Sequence, residues 1–165
     1  MTDQFVIFRI LNKRDNFLVG LVYINQTCNF LNMLNELRES IEIFTKKFPD
    51  DLFIIGGDFN SRVAAENEID EEILPLNSCL SAKKSSLNFN LDSGGRRLKI
   101  VFEELGFILI NERTPSDFPA NYTFVGKQWM SVNDLIWCNI NKLEYVKDME
   151  VMKVPTGSDN FPVAL

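Results

Sequence analysis

Leu52-Phe53-Ile54-Ile55-Gly56-Gly57-Asp58-Phe59-Asn60 is the stretch on which the reading of this chain turns. Four consecutive apolar residues, preceded by Pro49-Asp50-Asp51 and followed by two glycines, form the pattern of a short strand buried on both faces. Such a strand belongs at the centre of a sheet. Gly56 and Gly57 are expected to let the backbone turn sharply as the strand ends, delivering Asp58 and Asn60 to the rim where α/β sheets build their sites. A carboxylate there can take a proton or approach a metal, and an amide can hold a phosphate oxygen or orient the carboxylate. The same residues also suit a glycine-rich turn in which Asp and Asn satisfy only backbone groups.

Upstream, Phe5 to Leu11 and Phe17 to Ile24 are rich in β-formers, and the polar Asn12-Lys13-Arg14-Asp15-Asn16 between them reads as a hairpin loop. Phe30, Leu34, Leu37, Ile41, Phe44 and Phe48 recur in steps of four and three, which is one apolar helical face ended by Pro49. Downstream, residues 61 to 95 are polar and are assigned mostly to loops, with a short helix expected near Ala64 to Ile73. Leu98, Val101, Phe102 and Leu105 return to helical spacing, and Gly106 is a natural stop. Phe107 to Ile110, Tyr122 to Val125, Val132 to Cys138 and Tyr145 to Val154 predict four further strands. With no internal repeat and no linker, residues 1–165 read as a single α/β domain with a mainly antiparallel sheet.

Composition narrows the chemistry. The 165 residues contain no histidine, so neither the commonest general base nor the commonest transition-metal ligand is present. Carboxylates, amides, tyrosine and a hard oxygen-binding metal remain. Cys28, Cys79 and Cys138 are odd in number and widely spaced, the pattern of reduced thiols rather than of a zinc knuckle or a disulfide framework. Seventeen basic against 23 acidic residues give a net charge of -6, which does not support nucleic-acid binding by global charge. A local basic groove from Lys83, Lys84, Arg96, Arg97 and Lys99 stays open beside the alternative of a solvated loop and helix face. No run of apolar residues is long enough for a membrane span, and the start lacks the features of a signal peptide, so an intracellular protein, nuclear or cytoplasmic, without membrane partners is expected.

Two later segments add polar groups to the picture. Ser131-Val132-Asn133-Asp134-Leu135-Ile136-Trp137 places an acid inside an apolar strand-like run, where an unpaired charge is costly, so Asp134 needs a partner. Gly157-Ser158-Asp159-Asn160-Phe161-Pro162-Val163 sets polar side chains immediately before an apolar segment. In order, Val22-Tyr23-Ile24, Gly-Gly-Asp-Phe-Asn-Ser-Arg at 56–62, Ser-Val-Asn-Asp at 131–134 and Ser-Asp-Asn-Phe-Pro-Val at 158–163 resemble the later motifs of the endonuclease/exonuclease/phosphatase superfamily. They resemble most the apurinic-type endonuclease domains of non-LTR retrotransposons, as do Asn90 to Leu98, Phe107 to Thr114 and Asn121 to Phe124.

The resemblance implies a four-layer α/β-sandwich of the DNase I-like type, with the site at one end, cleaving phosphodiester bonds of DNA with Mg2+ or Mn2+. Carried over by position, Asp58 would activate or stabilise the attacking water and Asn60 would orient the phosphate. Tyr23 would contact the scissile phosphate or leaving group, and Thr123 and Ser158 would line the site. Asp134 would orient a catalytic histidine, and Asp159 would help to hold the metal. A reverse transcriptase domain in a longer polyprotein is the partner the resemblance suggests.

Two departures from the family pattern follow. Asn160 stands where the family has its histidine; an amide still donates to a phosphate oxygen but carries no imidazolium charge. The family's asparagine and glutamate motifs, the latter its principal metal ligand, find no match before the strand at Phe17 to Ile24, where Asp3 and Asp15 are the only acids. The first strands of the sandwich are therefore expected to be absent and Mg2+ to bind weakly. Exposed sheet edges and apolar faces, with self-association or dependence on a partner, are expected consequences. The alternative function is a catalytically inactive nucleic-acid or protein binding module.

Overall fold

The computed structural model describes residues 4–25, 27–154 and 157–165. Its organising element is the strand anticipated above, β3 (Leu52–Asp58), the middle strand of a five-stranded sheet of order β1-β2-β3-β7-β4. β1 (Phe5–Ile10) and β2 (Phe17–Tyr23) form the expected hairpin. β2 then pairs parallel with β3, while β3 pairs antiparallel with β7 (Asp134–Asn139), and β7 with the edge strand β4 (Phe107–Leu109). The parallel step from β2 to β3 requires a crossover, and α1 (Phe30–Lys47) supplies it.

Alternation along the strands divides the sheet into two unlike faces. On one face Leu18, Val22, Phe53, Ile55, Phe107, Leu109, Leu135 and Trp137 meet Met33, Leu34, Leu37 and Ile41 of α1 and Leu98 and Phe102 of α2 (Ser93–Glu104). Phe102 stacks on Trp137 with ring centroids 4.5 Å apart, and Phe59 and Phe107 meet Phe102 edge-on. On the other face Ile54, Ile108, Ile136 and Cys138 are covered by a second apolar cluster that includes Ile69, Leu80, Leu143, Val146 and Met149. This cover carries two small antiparallel ladders, β5 (Phe124–Val125) with β6 (Met130–Ser131), and β8 (Glu150–Val151) with β9 (Val163–Ala164). Over β1 and β2 that face is open.

Both long helices begin at side-chain caps. Asn29 accepts from the Asn32 N–H, and Asp92 accepts from Gly95, satisfying amides that have no partner within the helix. Gly106, at φ 75°, ends the second helix as expected.

Four local readings are corrected. Gly56 and Gly57 do not turn the chain: they are strand residues, and the bend falls at Asn60, whose φ is 45°. The glycine at 57 is needed for contact, because a Cβ there would lie 1.9 Å from the Val22 carbonyl oxygen. In place of a helix near Ala64 to Ile73 there is one 3₁₀ turn at Glu71–Ile73, and most of 145–154 is not a strand, because a 3₁₀ segment at Ile140–Tyr145 precedes the short β8. Of the basic cluster, Lys84 is buried and faces Glu112 at 3.2 Å, while Lys99 pairs with Glu66; neither contributes to an open basic groove. Asp3 lies outside the described residues. Cys28, Cys79 and Cys138 are unpaired thiols, as their spacing implied.

Gly57 combines a φ of 142° with this backbone contact. Gly57→Ala is expected to destabilise the fold by about 2–4 kcal/mol, because strain and overlap act together. Urea denaturation checks this; an unchanged midpoint would show that β2 and β3 can separate at no cost.

Candidate active site

The sheet register sets three chemically capable side chains in a row. Tyr23 of β2 is the partner of Asp58 of β3, and Asp58 is the partner of Asp134 of β7. Strand alternation turns all three towards the partly open face, at the end where β3 leaves the sheet. Tyr23 is exposed; Asp58 and Asp134 are half-buried.

A distant segment completes the group. Residues 158–161 lie along β5: the Val125 N–H donates to the Asp159 carbonyl, Phe161 N–H donates to the Thr123 carbonyl, and Phe124 and Asn160 form an antiparallel bridge. Asn160 is thereby aimed between the carboxylates. Its Nδ2 donates to Asp58 Oδ2 and to Asp134 Oδ1, each at 3.4 Å. The Asn160 N–H in turn donates to Ser158 Oγ at 3.2 Å.

Asp58 is held by the turn that follows it. Its Oδ1 accepts from the Asn60 N–H at 2.9 Å, and Asn60 Nδ2 donates to the Ile24 carbonyl at 2.7 Å. Asparagine tolerates the positive φ at position 60, and its amide ties the end of β3 to the end of β2. Both readings of these residues are therefore realised: they secure the turn, and they present a carboxylate to the site.

Thr123 is fully buried and works behind Asp134. Its Oγ1 accepts from the N–H groups of Asn133 and Asp134 at 3.0 and 3.1 Å. Asn111 and Asn88 were not among the sequence candidates. Asn111 donates to the Asp134 carbonyl and accepts from Ile136, and Asn88 exchanges two hydrogen bonds with the backbone of Val132. A polar residue closing the apolar run at Phe107–Ile110 was a signal for Asn111. Nothing in the loop sequence distinguished Asn88.

Burial, followed by the adjacent charge of Asp58, pushes the Asp134 carboxyl up to about 6, against hydrogen bonds from Thr123 and Asn160 that favour the ionised form. Its Oδ2 is buried with no hydrogen-bond partner among the described residues. An all-oxygen donor set of two carboxylates and the carbonyl ends of two amides suits a hard cation such as Mg2+. Asp159, the expected metal ligand, has an exposed side chain at the margin, and among the described residues no three Asp, Glu, Cys or His side chains cluster as a metal cage. The fit is to a cation held by one or two carboxylates and water.

The fold that carries this arrangement is similar to that of several solved structures. The endonuclease domain of TRAS1, a telomere-specific non-LTR retrotransposon, superposes with a TM-score of 0.67 and 19% identity over 98% of this chain and 62% of that one. The AP endonuclease LMAP from Leishmania major gives 0.55 and 15% over 95% and 51%, and the 3'-5' exonuclease NExo from Neisseria meningitidis gives 0.53 and 16% over 95% and 62%. The chain has the DNase I-like α/β fold of these solved structures. Within that fold it is more similar to the retrotransposon endonuclease domain than to the other two enzymes. It spans less than two thirds of the length of each. No protein-family model and no curated protein matches the sequence.

Because the folded-state affinity of Asp134 for its proton is raised, this group favours folding below about pH 4 and loses that contribution as pH rises through about 6. Asp134→Asn is therefore expected to raise stability at pH 7 by about 1–2 kcal/mol, allowing for partial exposure, and to flatten the pH dependence between these values. Thermal melting of both proteins across that range checks the sign; a variant less stable than wild type at pH 7 would contradict it.

Proposed function

We propose that this chain is a phosphodiesterase domain acting on DNA with Mg2+ or Mn2+, descended from a retrotransposon endonuclease and weakened by the amide at position 160. The observation that carries the reading is the convergence of Asp58, Asp134 and Asn160, three residues distant in sequence, at one end of a DNase I-like sheet. Asp58 would activate or stabilise an attacking water, and Tyr23, exposed on the same row, would contact the phosphate or leaving group. The Asn60 amide would orient a phosphate oxygen, Asn160 would do so by releasing one of its two carboxylate partners, and Thr123 and Ser158 support the wall of the site.

A bound Mg2+, held by Asp58 or Asp134 with water and with Asp159 at the margin, would supply charge stabilisation to the phosphoryl oxygens. Asn160 contributes a hydrogen bond in the same place but no positive charge, and groups of this kind are typically worth about 10²- to 10⁴-fold in rate. Beyond Asn60, a groove of about 460 Å³ runs between the starts of α1 and α2, lined by Asn25, Ser93 and Arg97 together with Phe30, Leu31 and Asp92, and Arg97 is its cation for a phosphate. The overall charge of -6 makes this contact local and sensitive to salt.

A second reading, a DNA-binding module without cleavage, draws on one observation: the Asn160 amide already donates to both carboxylates of the row. A supercoiled-plasmid nicking assay with Mg2+ or Mn2+ against EDTA separates the two. Weak metal-dependent nicking that Asp58→Ala abolishes is the expected result; binding without nicking at any metal concentration would select the module.

Asn160→His restores an imidazole beside Asp134 but adds no metal ligand. Its nicking rate is expected to rise by less than about tenfold, well short of the ~10²- to 10⁴-fold scale of such groups, because the two defects do not act independently. Strong cleavage by this single variant, measured at matched metal concentration, would show that the carboxylates present already form a sufficient cation site.

A further inference from the structure

The edge of β7 that faces β4 runs out of backbone partners before it reaches the site. β4 ends at Leu109, and the last backbone bond from that segment, the Ile110 N–H to the Ile136 carbonyl, is 2.8 Å long. Alternate residues of a strand present their N–H and C=O groups to the same edge, so Ile136, Asp134 and Val132 need partners there. Side chains provide them. The Ile136 N–H donates to Asn111 Oδ1 at 2.7 Å, and Asn111 Nδ2 donates to the Asp134 carbonyl at 2.9 Å. The Asp134 N–H donates to Thr123 Oγ1, and Asn88 makes bonds of 3.0 and 3.3 Å with the Val132 carbonyl and N–H. An asparagine amide offers an acceptor and an NH2 donor, as a peptide unit offers both, so Asn111 and Asn88 continue the ladder as a neighbouring strand would.

Asn88 is itself held by a line of contacts. It belongs to the segment between β3 and α2, which contains no strand. Its N–H donates to Ser86 Oγ at 3.2 Å, and the Ser86 hydroxyl donates to Glu112 Oε1 at 3.0 Å. Glu112 is buried and faces the buried Lys84 at 3.2 Å. The Glu112 backbone is secured as well: its N–H donates to Asp117 Oδ2 and its carbonyl accepts from the Ser85 N–H. The line therefore leads from a buried ion pair through Ser86 and Asn88 to Val132, two residues before Asp134.

We propose that Asn88 is a positioning residue for the candidate site: with Ser86 and Glu112 behind it, it sets where β7 begins and hence where Asp134 stands against Asp58 and Asn160. This role rests on the phosphodiesterase reading and deepens it. On the β3 edge Asp134 is fixed by its pairing with Asp58 and by the Phe59 N–H, which donates to the Asn133 carbonyl at 3.0 Å. On the other edge the amides of Asn111 and Asn88 do the fixing. A strand end held at one edge alone opens locally, and a reacting group displaced by about 1 Å can lose roughly 10²-fold in rate. Asn88 acts on Asp134 through the backbone of Val132; Ser86 acts through its hydroxyl, and Lys84 and Glu112 act by holding Ser86.

Asn88→Ala and Ser86→Ala break the line at two points, Ser86→Thr keeps the hydroxyl, and Ile41→Ala removes buried packing from α1 without touching the line. Amide hydrogen exchange and the NMR signals of the Asn160 side-chain NH2, which donates to both carboxylates, are read on the full chain without metal or DNA. In Asn88→Ala, exchange at Val132 and Asp134 is expected to quicken by about tenfold more than at Ile55 in the sheet centre, and the Asn160 signals to move. Ser86→Ala should give the same pattern more weakly, and Ser86→Thr should return it to that of the wild type. Ile41→Ala should quicken exchange evenly and leave the Asn160 signals in place. Where the wild type nicks plasmid DNA, Asn88→Ala is expected to lower kcat by about tenfold or more with KM unchanged. Local exchange and Asn160 signals that are unchanged in both Asn88→Ala and Ser86→Ala, or that move equally in Ile41→Ala, would overturn the inference. A wild type that does not nick would overturn the phosphodiesterase reading instead, and the exchange and NMR results decide the placement of Asp134 in either case.

Discussion

The backbone contact between Gly57 of β3 and Val22 of β2 is the constraint on which the site depends. A strand that must bring a neighbouring carbonyl to where its own Cβ would be can use only glycine, and here it does so one residue before Asp58. The close approach keeps β2 and β3 in register to their ends, so Tyr23 and Asp58 emerge side by side. β7 then fixes Asp134 against Asp58 from the other side. A one-residue slip would send one member of the row into the helix face, among Val22, Ile55 and Leu135. The apolar pattern of these strands and the placement of the site are therefore enforced by the same register.

The long segment from 61 to 92 is held without regular structure by a buried charged network. Arg113, almost wholly inside, donates to the carbonyls of Leu109, Ser81, Ala82 and Asn67. Lys84 faces Glu112 and donates to the Ala64 carbonyl, and Asp117 accepts from the Glu112 N–H. Burial lowers the proton affinity of Lys84, brings Arg113 down to about 10 and raises that of Asp117. The network serves less as a source of net stability than as a means of satisfying loop carbonyls that a helix or sheet would otherwise pair. It secures the loop whose Asn88 holds the strand carrying Asp134.

At the site itself the decisive feature is that one neutral amide serves two carboxylates. The Asn160 Nδ2 group has two hydrogens, so it can donate to Asp58 and Asp134 together without adding charge. Burial, with the Asp58 charge beside it, raises the affinity of Asp134 for a proton, which is the cost of setting a carboxylate here. An imidazolium at this point would have offset that cost. The residue at this point thus sets the charge balance of the whole group as well as a single contact, which links the chemistry of position 160 to the electrostatics of position 134.

The sequence alone determined the sheet centre, the opening hairpin and both long helices, because each rests on short-range physics. Strand alternation, helical spacing and the exclusion of charge from apolar runs operate over a few residues and leave their pattern in the chain. The need of Asp134 for a partner was legible in this way, but the identity of that partner was not. Only the tertiary structure decided that Asn160 lies between two acids, that Lys84 turns inward to Glu112, that Asn88 and Asn111 support Asp134, and that Gly57 serves a close backbone contact instead of a turn. Each of these depends on contacts between residues far apart in the chain. No local pattern encodes them, because the same amide, lysine or glycine is equally compatible with solvent until another strand or loop occupies the space beside it.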